Sequence, residues 1–179
     1  MTSGNGMESA LAGLRVLAYD AISPRVADDA RIAPGVTLIG DIEIGAGTVV
    51  GYGCLLRADV NLIRVGARSQ LADGIVVHVS PGDFPTLIGD DIVVGPKALL
   101  HGCTLQNAAW VGAYAIVPNG CVVEGEAIVA AGSRIKPRTR VRRGEVWGGS
   151  PARHLRNVRD GELRRLRAAG GAINEEQGA

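Results

Sequence analysis

The stretch IGDDIVVGPKALLHGCTLQNA, residues 88–108, carries an aliphatic residue at every sixth position, at Ile88, Val94 and Leu100. A glycine follows each of the first two, and His101 follows the third. Six residues are too few for a repeat that contains a helix, but they accommodate a short strand and a tight bend. The stretch therefore predicts stacked short strands whose aliphatic side chains point inward.

The same register extends over more than a hundred residues. It is interrupted between Leu56 and Val65 and by an insert between Val77 and Ile88, and it shifts where one residue is dropped after Leu100. The predicted inward positions are Val26, Ile32, Leu38, Ile44, Val50, Leu56, Val65, Leu71, Val77, Ile88, Val94, Leu100, Leu105, Val111, Val117, Val123, Val129, Ile135, Val141 and Trp147. Three units close one triangular coil, and stacked coils pair as parallel strands. The pattern predicts an all-β solenoid, a parallel β-helix of about seven coils spaced about 4.8 Å apart.

We expect a single domain with short additions at both ends. Residues 1–20 are predicted to form an N-terminal lead-in, 21–152 the β-helix domain, and 153–179 a short C-terminal α-helix and tail. One face of that helix would carry Leu155, Val158, Leu163 and Leu166. Gly170 and Gly171 are expected to end it.

Composition excludes several classes of function. The formal net charge is +1, so nothing global favours nucleic acid or an anionic membrane as a partner. No apolar run approaches the roughly 18 residues of a membrane span, and we identify no signal peptide. The three cysteines, an odd number without framework spacing, fit a reducing compartment, so we expect a cytoplasmic protein.

The register places two of the three histidines in one column. His78 and His101 follow inward residues that are three units apart, which is one full coil, and Arg57 occupies the same slot one coil earlier. This slot holds mostly small residues elsewhere, so three stacked departures favour a functional role over a tolerant surface position. Imidazoles one coil apart can share a metal ion, but a catalytic zinc needs a third protein ligand. A neighbouring subunit would have to supply it, since we expect His154 to be a tail residue.

Three segments resemble the gamma-class carbonic anhydrases and their hexapeptide-repeat relatives over roughly residues 26–156. They are GDIEIGAGTVVGYGCLLRADVNLIRVGARSQLADGIVVHVS (40–80), PTLIGDDIVVGPKALLHGCTL (85–105) and WGGSPAR (147–153). The resemblance implies a left-handed β-helix, whereas the crossover rule alone would favour a right-handed turn. It also implies a trimer with zinc sites between subunits. One subunit supplies two histidines to each site and its neighbour supplies the third.

Carried over by position, the resemblance makes His78 and His101 two of the three metal ligands. Arg57 and Asp59 match the family's Arg-x-Asp pair, which forms an ion pair near the subunit interface. Asp73 matches the aspartate of the Asn-x-Gln-Asp-Gly segment and would lie beside the metal ligands.

The departures from the family pattern bear most on activity. Pro96 stands at the third ligand position, and proline has no side-chain donor. Ala72 replaces the glutamine that contacts the reactive water, and Gln70 replaces the asparagine. The candidate catalytic residues are thus Arg57, Asp59, Gln70 and Asp73. Cys103, two residues past His101, could complete a weak site as a thiolate, although the family commonly has a cysteine there without using it.

Three functions remain open on these residues. We favour a gamma-carbonic-anhydrase-like homotrimer with a degenerate metal site, poor or inactive in CO2 hydration, that binds a small ligand such as CO2 or bicarbonate, or serves as an assembly or scaffold protein. Zinc, or another divalent metal, would bind weakly or not at all. The alternatives are an active zinc-dependent gamma-class carbonic anhydrase and a hexapeptide-repeat acyl-CoA-dependent acyltransferase. A hetero-trimer with a ligand-complete relative would restore the missing histidine.

Two further features carry weaker predictions. Basic residues alternate from Arg134 to Arg142, which predicts one outward face that is solvated or meets an anionic partner. Tyr114 stands where the family usually has glycine and would edge the interface or pack against its neighbours.

Overall fold

Short parallel strands stacked in three columns form the body of the molecule. The computed structural model describes residues 13–175, which form a β-solenoid of about seven turns followed by one short helix. Consecutive coils pair in register, and each of the three columns forms one face of a prism. The six-residue period therefore predicted the architecture correctly.

The first face carries the candidate histidines. It comprises β1 (Arg15–Leu17), the first halves of β4 (Thr37–Ile44) and β6 (Leu55–Val65), β8 (Val76–His78), β11 (Leu99–His101) and β14 (Ile116–Val117). The second face comprises β2 (Arg25–Val26), the second halves of β4 and β6, β9 (Thr86–Ile88), β12 (Thr104–Leu105), β15 (Val122–Val123) and β17 (Arg140–Val141).

The third face ends in the only antiparallel strand pair named among the described residues. It comprises β3 (Arg31–Ile32), β5 (Val49–Val50), β7 (Gln70–Leu71), β10 (Val93–Val94), β13 (Trp110–Val111), β16 (Ile128–Val129), β18 (Glu145–Gly149) and β19 (Ala152–Asn157). Helix α1 (Glu162–Glu175) follows β19. No helix in the described range 13–175 is long and apolar enough to cross a membrane.

The core is the stack of inward aliphatic side chains that the register predicts. Every predicted inward residue from Leu38 to Val141 is at most 4% exposed, whereas Val26 near the N-terminal end is 36% exposed. Two core slots, at Thr48 and Ser69, hold hydroxyl groups that donate to a carbonyl of the next coil. Thr48 Oγ1 donates to the carbonyl of Gly66 at 2.7 Å, which satisfies the buried hydroxyl.

Both ends of the solenoid differ in detail from the expected boundaries. Strand β1 lies within the segment expected to be a lead-in and pairs in parallel with β4, while residues 1–12 lie outside the described part. At the other end, Leu155 lies on β19 and not on the helix. The helix also continues through Gly170 and Gly171 to Glu175, so the prediction that these glycines end it is wrong.

The alternating basic series does not form the single face that was predicted. Arg134 bridges to the first face, whereas Arg140 belongs to the second. Arg138 lies at the corner between them with φ +59°. The charge of Arg140 is also paired with that of Glu124, since Arg140 Nη1 lies 2.6 Å from Glu124 Oε1. The alternation crosses a corner of the coil, so strand periodicity does not apply to it.

Candidate functional site

Arg57, His78 and His101 form one column on the first face. Arg57 pairs in register with His78, and His78 with His101, on adjacent parallel strands. Each follows a fully buried aliphatic residue, so alternation along the strand turns its side chain outward. The column lies where counting units from the sequence places it.

Hydrogen-bond contacts join the whole column. His78 Nδ1 lies 3.0 Å from His101 Nε2, and the two rings meet edge to face with centroids 4.9 Å apart. Arg57 Nε donates to His78 Nε2 at 3.0 Å, and His101 Nδ1 lies 2.6 Å from Asn119 Oδ1. All four ring nitrogens therefore have a protein partner.

Asp59 lies beside Arg57, at the end of the column away from Asn119, which we call the outer end. One carboxylate oxygen lies 3.2 Å from Arg57 Nε and the other 3.3 Å from His78 Nε2. The Asp59 side chain is 19% exposed and the Arg57 side chain 47%. Burial and the Arg57 charge lower the pKa of His78, while Asp59 opposes the shift. The lowered pKa favours the neutral imidazole, which can accept the Arg57 hydrogen bond.

The other predicted catalytic residues lie elsewhere in the chain. Gln70 is on β7, on the third face. Asp73 lies at the corner that follows, where its Oδ1 accepts the Tyr52 backbone N–H at 2.9 Å. Neither residue hydrogen-bonds to a histidine in the described part of the chain. Within one subunit the predicted site is thus divided between the first face and this corner.

Pro96 stacks on Asp73 in the corner column. The N–H of Lys97 donates to the Asp73 carbonyl, and the N–H of Tyr114 donates to the Pro96 carbonyl, both at 2.9 Å. The corresponding corner position holds glycine in other coils, but Lys97 and Tyr114 adopt left-handed φ values of +57° and +59°. The position that would donate a third ligand is thus a half-buried corner without a ligating atom.

The residues of one chain do not assemble a metal site. Between residues 13 and 175 there is no cluster of three or more His, Cys, Asp or Glu side chains suited to hold a metal ion. Cys103 does not supply the missing donor, since it is 1% exposed within the core and burial raises its pKa to about 12. Two histidines that bond to each other are what remains of the predicted ligand set.

Asn119 and Ser80 contact the site, and sequence reasoning missed both. Asn119 Nδ2 donates to Ser80 Oγ at 2.9 Å, on the side away from His101. One full coil after His101, the same slot falls on Pro118, because the register drops a residue after Leu100. Asn119 is the next residue and lies outside that slot. Nothing in the spacing therefore pointed to an asparagine at the corner.

The chain is similar to proteins of known family over most of its length. No family model matches it. It is 47% identical over 146 residues to gamma carbonic anhydrase 2, mitochondrial, of Arabidopsis thaliana. That alignment covers 79% of this chain and 52% of the relative. It is 36% identical over 146 residues to carnitine operon protein CaiE of Escherichia coli K12, and the alignment covers 82% of this chain and 74% of CaiE. The chain thus spans about half the length of the plant relative.

A solved structure with the same architecture is the hexapeptide transferase family protein of Anaplasma phagocytophilum. It matches with a TM-score of 0.83 and 36% identity, over 88% of this chain and 93% of that one. The solenoid is accordingly the left-handed β-helix of hexapeptide-repeat proteins. The chain belongs to the gamma-carbonic-anhydrase-like family of hexapeptide-repeat, left-handed β-helix proteins.

Proposed function

We propose that this protein is a trimeric member of the family with a degenerate metal site at the subunit interface. It hydrates CO2 poorly or not at all, and it acts by binding a small ligand or as an assembly or scaffold subunit. One observation carries the proposal: His78 and His101 bond to each other and to Arg57 and Asn119, while the third ligand position is Pro96.

The residues present do not fit a catalytic zinc ion. Such a site has three protein ligands and an open position for water, whose pKa the metal lowers to about 7. Here two imidazoles are available, and loading them would break the bond between His78 and His101. Position 96 supplies no donor, so zinc or another divalent metal would be held weakly or not at all.

The first face supports a proposed interface between copies. An outward aliphatic column runs in register beside the polar one, formed by Leu55, Val76, Leu99 and Ile116. Tyr114, at the corner of this face, is 60% exposed. A contiguous apolar strip beside partly buried polar groups is typical of a protein interface. In the trimer we propose, the corner with Pro96 of one subunit meets the histidine column of the next.

The ligand class follows from the charge at the column. Arg57 Nε lies 3.2 Å from Asp59, but 47% of the Arg57 side chain is exposed. Its two terminal nitrogens donate no hydrogen bond to the residues that the structure describes. We therefore propose a small anion such as bicarbonate as the ligand, with CO2 as the related neutral molecule. In a hetero-trimer, a ligand-complete relative would supply the missing histidine and make the mixed sites active.

The cytoplasmic location stays a prediction from the cysteine pattern. The relative from Arabidopsis thaliana has a mitochondrial location in its name. Subcellular fractionation of the source cells tests the prediction directly.

The proposal is tested by measuring metal content and CO2 hydration together on the purified protein. We expect much less than one metal ion per chain by elemental analysis and a stopped-flow hydration rate close to the uncatalysed one. Stoichiometric zinc with fast hydration would overturn the proposal and establish the carbonic anhydrase. Turnover of acetyl-CoA with an amine or hydroxyl acceptor would instead establish the acyltransferase.

A further inference from the structure

We propose that Asn119, held in place by Ser80, is the positioning residue of the histidine pair. It determines which ring nitrogen of His101 carries the proton, and through His101 it sets the direction of hydrogen bonding along the column. The inference rests on the proposed function only in treating His78 and His101 as the functional pair.

The first step is the orientation of the Asn119 amide. Its Nδ2 donates to Ser80 Oγ at 2.9 Å, which leaves Oδ1 facing His101 Nδ1 at 2.6 Å. Ser80 is itself fixed, because its backbone bridges to Phe84 and its carbonyl accepts a hydrogen bond from Asn61 at 2.9 Å. In this orientation the amide oxygen can only accept a hydrogen bond, so His101 donates from Nδ1.

The second step follows from the two ends of the column. With Nδ1 protonated, neutral His101 has its lone pair on Nε2, which accepts the proton of His78 Nδ1 at 3.0 Å. The lone pair of His78 is then on Nε2, where Arg57 donates at 3.0 Å. Arg57 cannot accept a hydrogen bond. Both ends of the hydrogen-bonded column therefore require donation in the same direction, from Arg57 through the histidines to Asn119.

The opposite direction has its own acceptor, so the choice matters. If His78 carried its proton on Nε2, it would donate to Asp59, whose Oδ1 lies 3.3 Å away. His101 would then donate from Nε2 and present a bare Nδ1 to Asn119. Asn119 at one end of the column, together with Arg57 at the other, thus favours pairing of His78 with Arg57 over pairing with Asp59.

The backbone around His101 accommodates Asn119. Gly102 follows His101 with φ +56°, and a Cβ atom at this position would collide with Asn119 Oδ1 and lie 2.9 Å from the Phe84 side chain. A histidine whose Nδ1–H is held by a neighbour presents a basic Nε2, which is the form that binds a metal or accepts a proton. Asn119 therefore prepares His101 for either role.

The tautomers can be measured without any activity. The chain has three histidines, so labelling with 15N-histidine gives six ring-nitrogen signals, assigned with His→Gln variants. We expect His101 Nδ1 to be protonated in the wild type and in Asn119→Asp, which keeps an acceptor. Asn119→Leu is expected to shift population to the Nε2–H form. Asn107→Leu is the matched control, since Asn107 packs against Gly89 at another corner.

Ser80→Ala keeps Asn119 but releases its amide, and we expect mixed tautomers of His101 there as well. This second variant decides the question if Asn119→Leu does not fold. A wild-type His101 protonated only on Nε2 would overturn the inference. So would an unchanged tautomer in Asn119→Leu or, where that variant does not fold, in Ser80→Ala.

A second readout uses zinc in the Pro96→His background. We expect Asn119→Leu to weaken zinc binding by Pro96→His about 10- to 100-fold, as loss of a group that orients a ligating histidine typically does. Equal zinc affinities would overturn the inference. If Pro96→His takes up no zinc at all, the proposed function loses its support, whereas the tautomer measurement still decides the role of Asn119.

Discussion

In the function that we propose, Pro96 is the residue that keeps the site from holding a metal ion. We predict that Pro96→His increases the zinc bound per chain, because it places an imidazole at the position where the family has its third ligand. Elemental analysis after dialysis measures the gain. Lys97→His is the control, because Lys97 is the adjacent residue and its side chain lies over the Tyr114 ring, with Nζ 5.8 Å from the ring centroid. A folded, trimeric Pro96→His protein without bound metal would contradict the prediction.

The buried thiols give a second prediction for single residues. Burial raises the pKa of Cys54 to about 11 and that of Cys103 to about 12. Burial also raises the pKa of Cys121. Because the thiolate is the reactive form, we expect no thiol to react with a disulfide reagent at pH 8 in the native protein. All three should react in denaturant, and a rapidly reacting thiol in the native state would refute the assignment to the core.

The sequence allowed part of the site to be predicted. His78 and His101 could be stacked by counting units, since parallel coils in register convert sequence spacing into position. Gln70 and Asp73 could not be placed relative to them, because they lie on another face and at a corner. Asn119 was missed since its contact depends on an irregular unit and on the close approach that Gly102 permits.

The corners of the coils hold backbone strain that substitution can test. Ala108 has φ +68°, a conformation that costs an L-residue about 1–2 kcal/mol, whereas glycine adopts it freely. We predict that Ala108→Gly raises the free energy of unfolding by about 0.5–1 kcal/mol, since greater freedom of the unfolded chain offsets part of the gain. Ala109→Gly, at a buried residue with ordinary φ, should lower it. Urea denaturation of both variants checks the opposite signs.

Helix α1 is attached to the solenoid through an ion pair that should respond to acid. Arg156 donates two hydrogen bonds to Glu162 at 2.7 and 2.8 Å and, with the Arg159 N–H, lowers the pKa of Glu162 to about 2. A carboxyl whose pKa falls on folding stabilises the fold above its unfolded pKa, and the stabilisation is lost as the pH falls from about 4.5 to 2.

We therefore expect the wild type to lose stability relative to Glu162→Gln between pH 5 and pH 2, by no more than about 1 kcal/mol for a solvated pair. Hydrogen exchange of the helix amides measures the effect. The same loss in both proteins would show that Glu162 does not contribute. The pair joins β19 to α1, a connection that the sequence did not predict because Leu155 and Val158 were expected on the helix.

At the scale of the whole molecule, the trimer that we propose would be held together by the first face. Val76 on this face and Leu87 on the second face are each 36% exposed, so they form a matched pair. We predict that Val76→Asp reduces the trimer to smaller species, since it places a charge in the proposed apolar interface, whereas Leu87→Asp does not. Sedimentation velocity distinguishes the species. A trimer that stays intact in Val76→Asp would show that the interface lies on another face.

The architecture was predictable from the period alone, because each coil contacts only its neighbours and one inward residue per unit builds the core. Handedness was not, since a six-residue period closes a triangle in either sense, and the usual crossover rule favours the other one. The resemblance and then the similarity to a solved structure decided it.

The reversed strand β19 also keeps the molecule finite. A solenoid that simply stopped would leave its last coil as a template of open backbone N–H and C=O groups about 4.8 Å from the place of the next strand. Another molecule could continue that stack, and end-to-end growth of this kind produces fibres. Because β19 runs antiparallel to β18 and occupies that edge, the third face cannot be continued by a parallel coil. The hairpin of β18 and β19 thus blocks end-to-end growth at this edge of the third face.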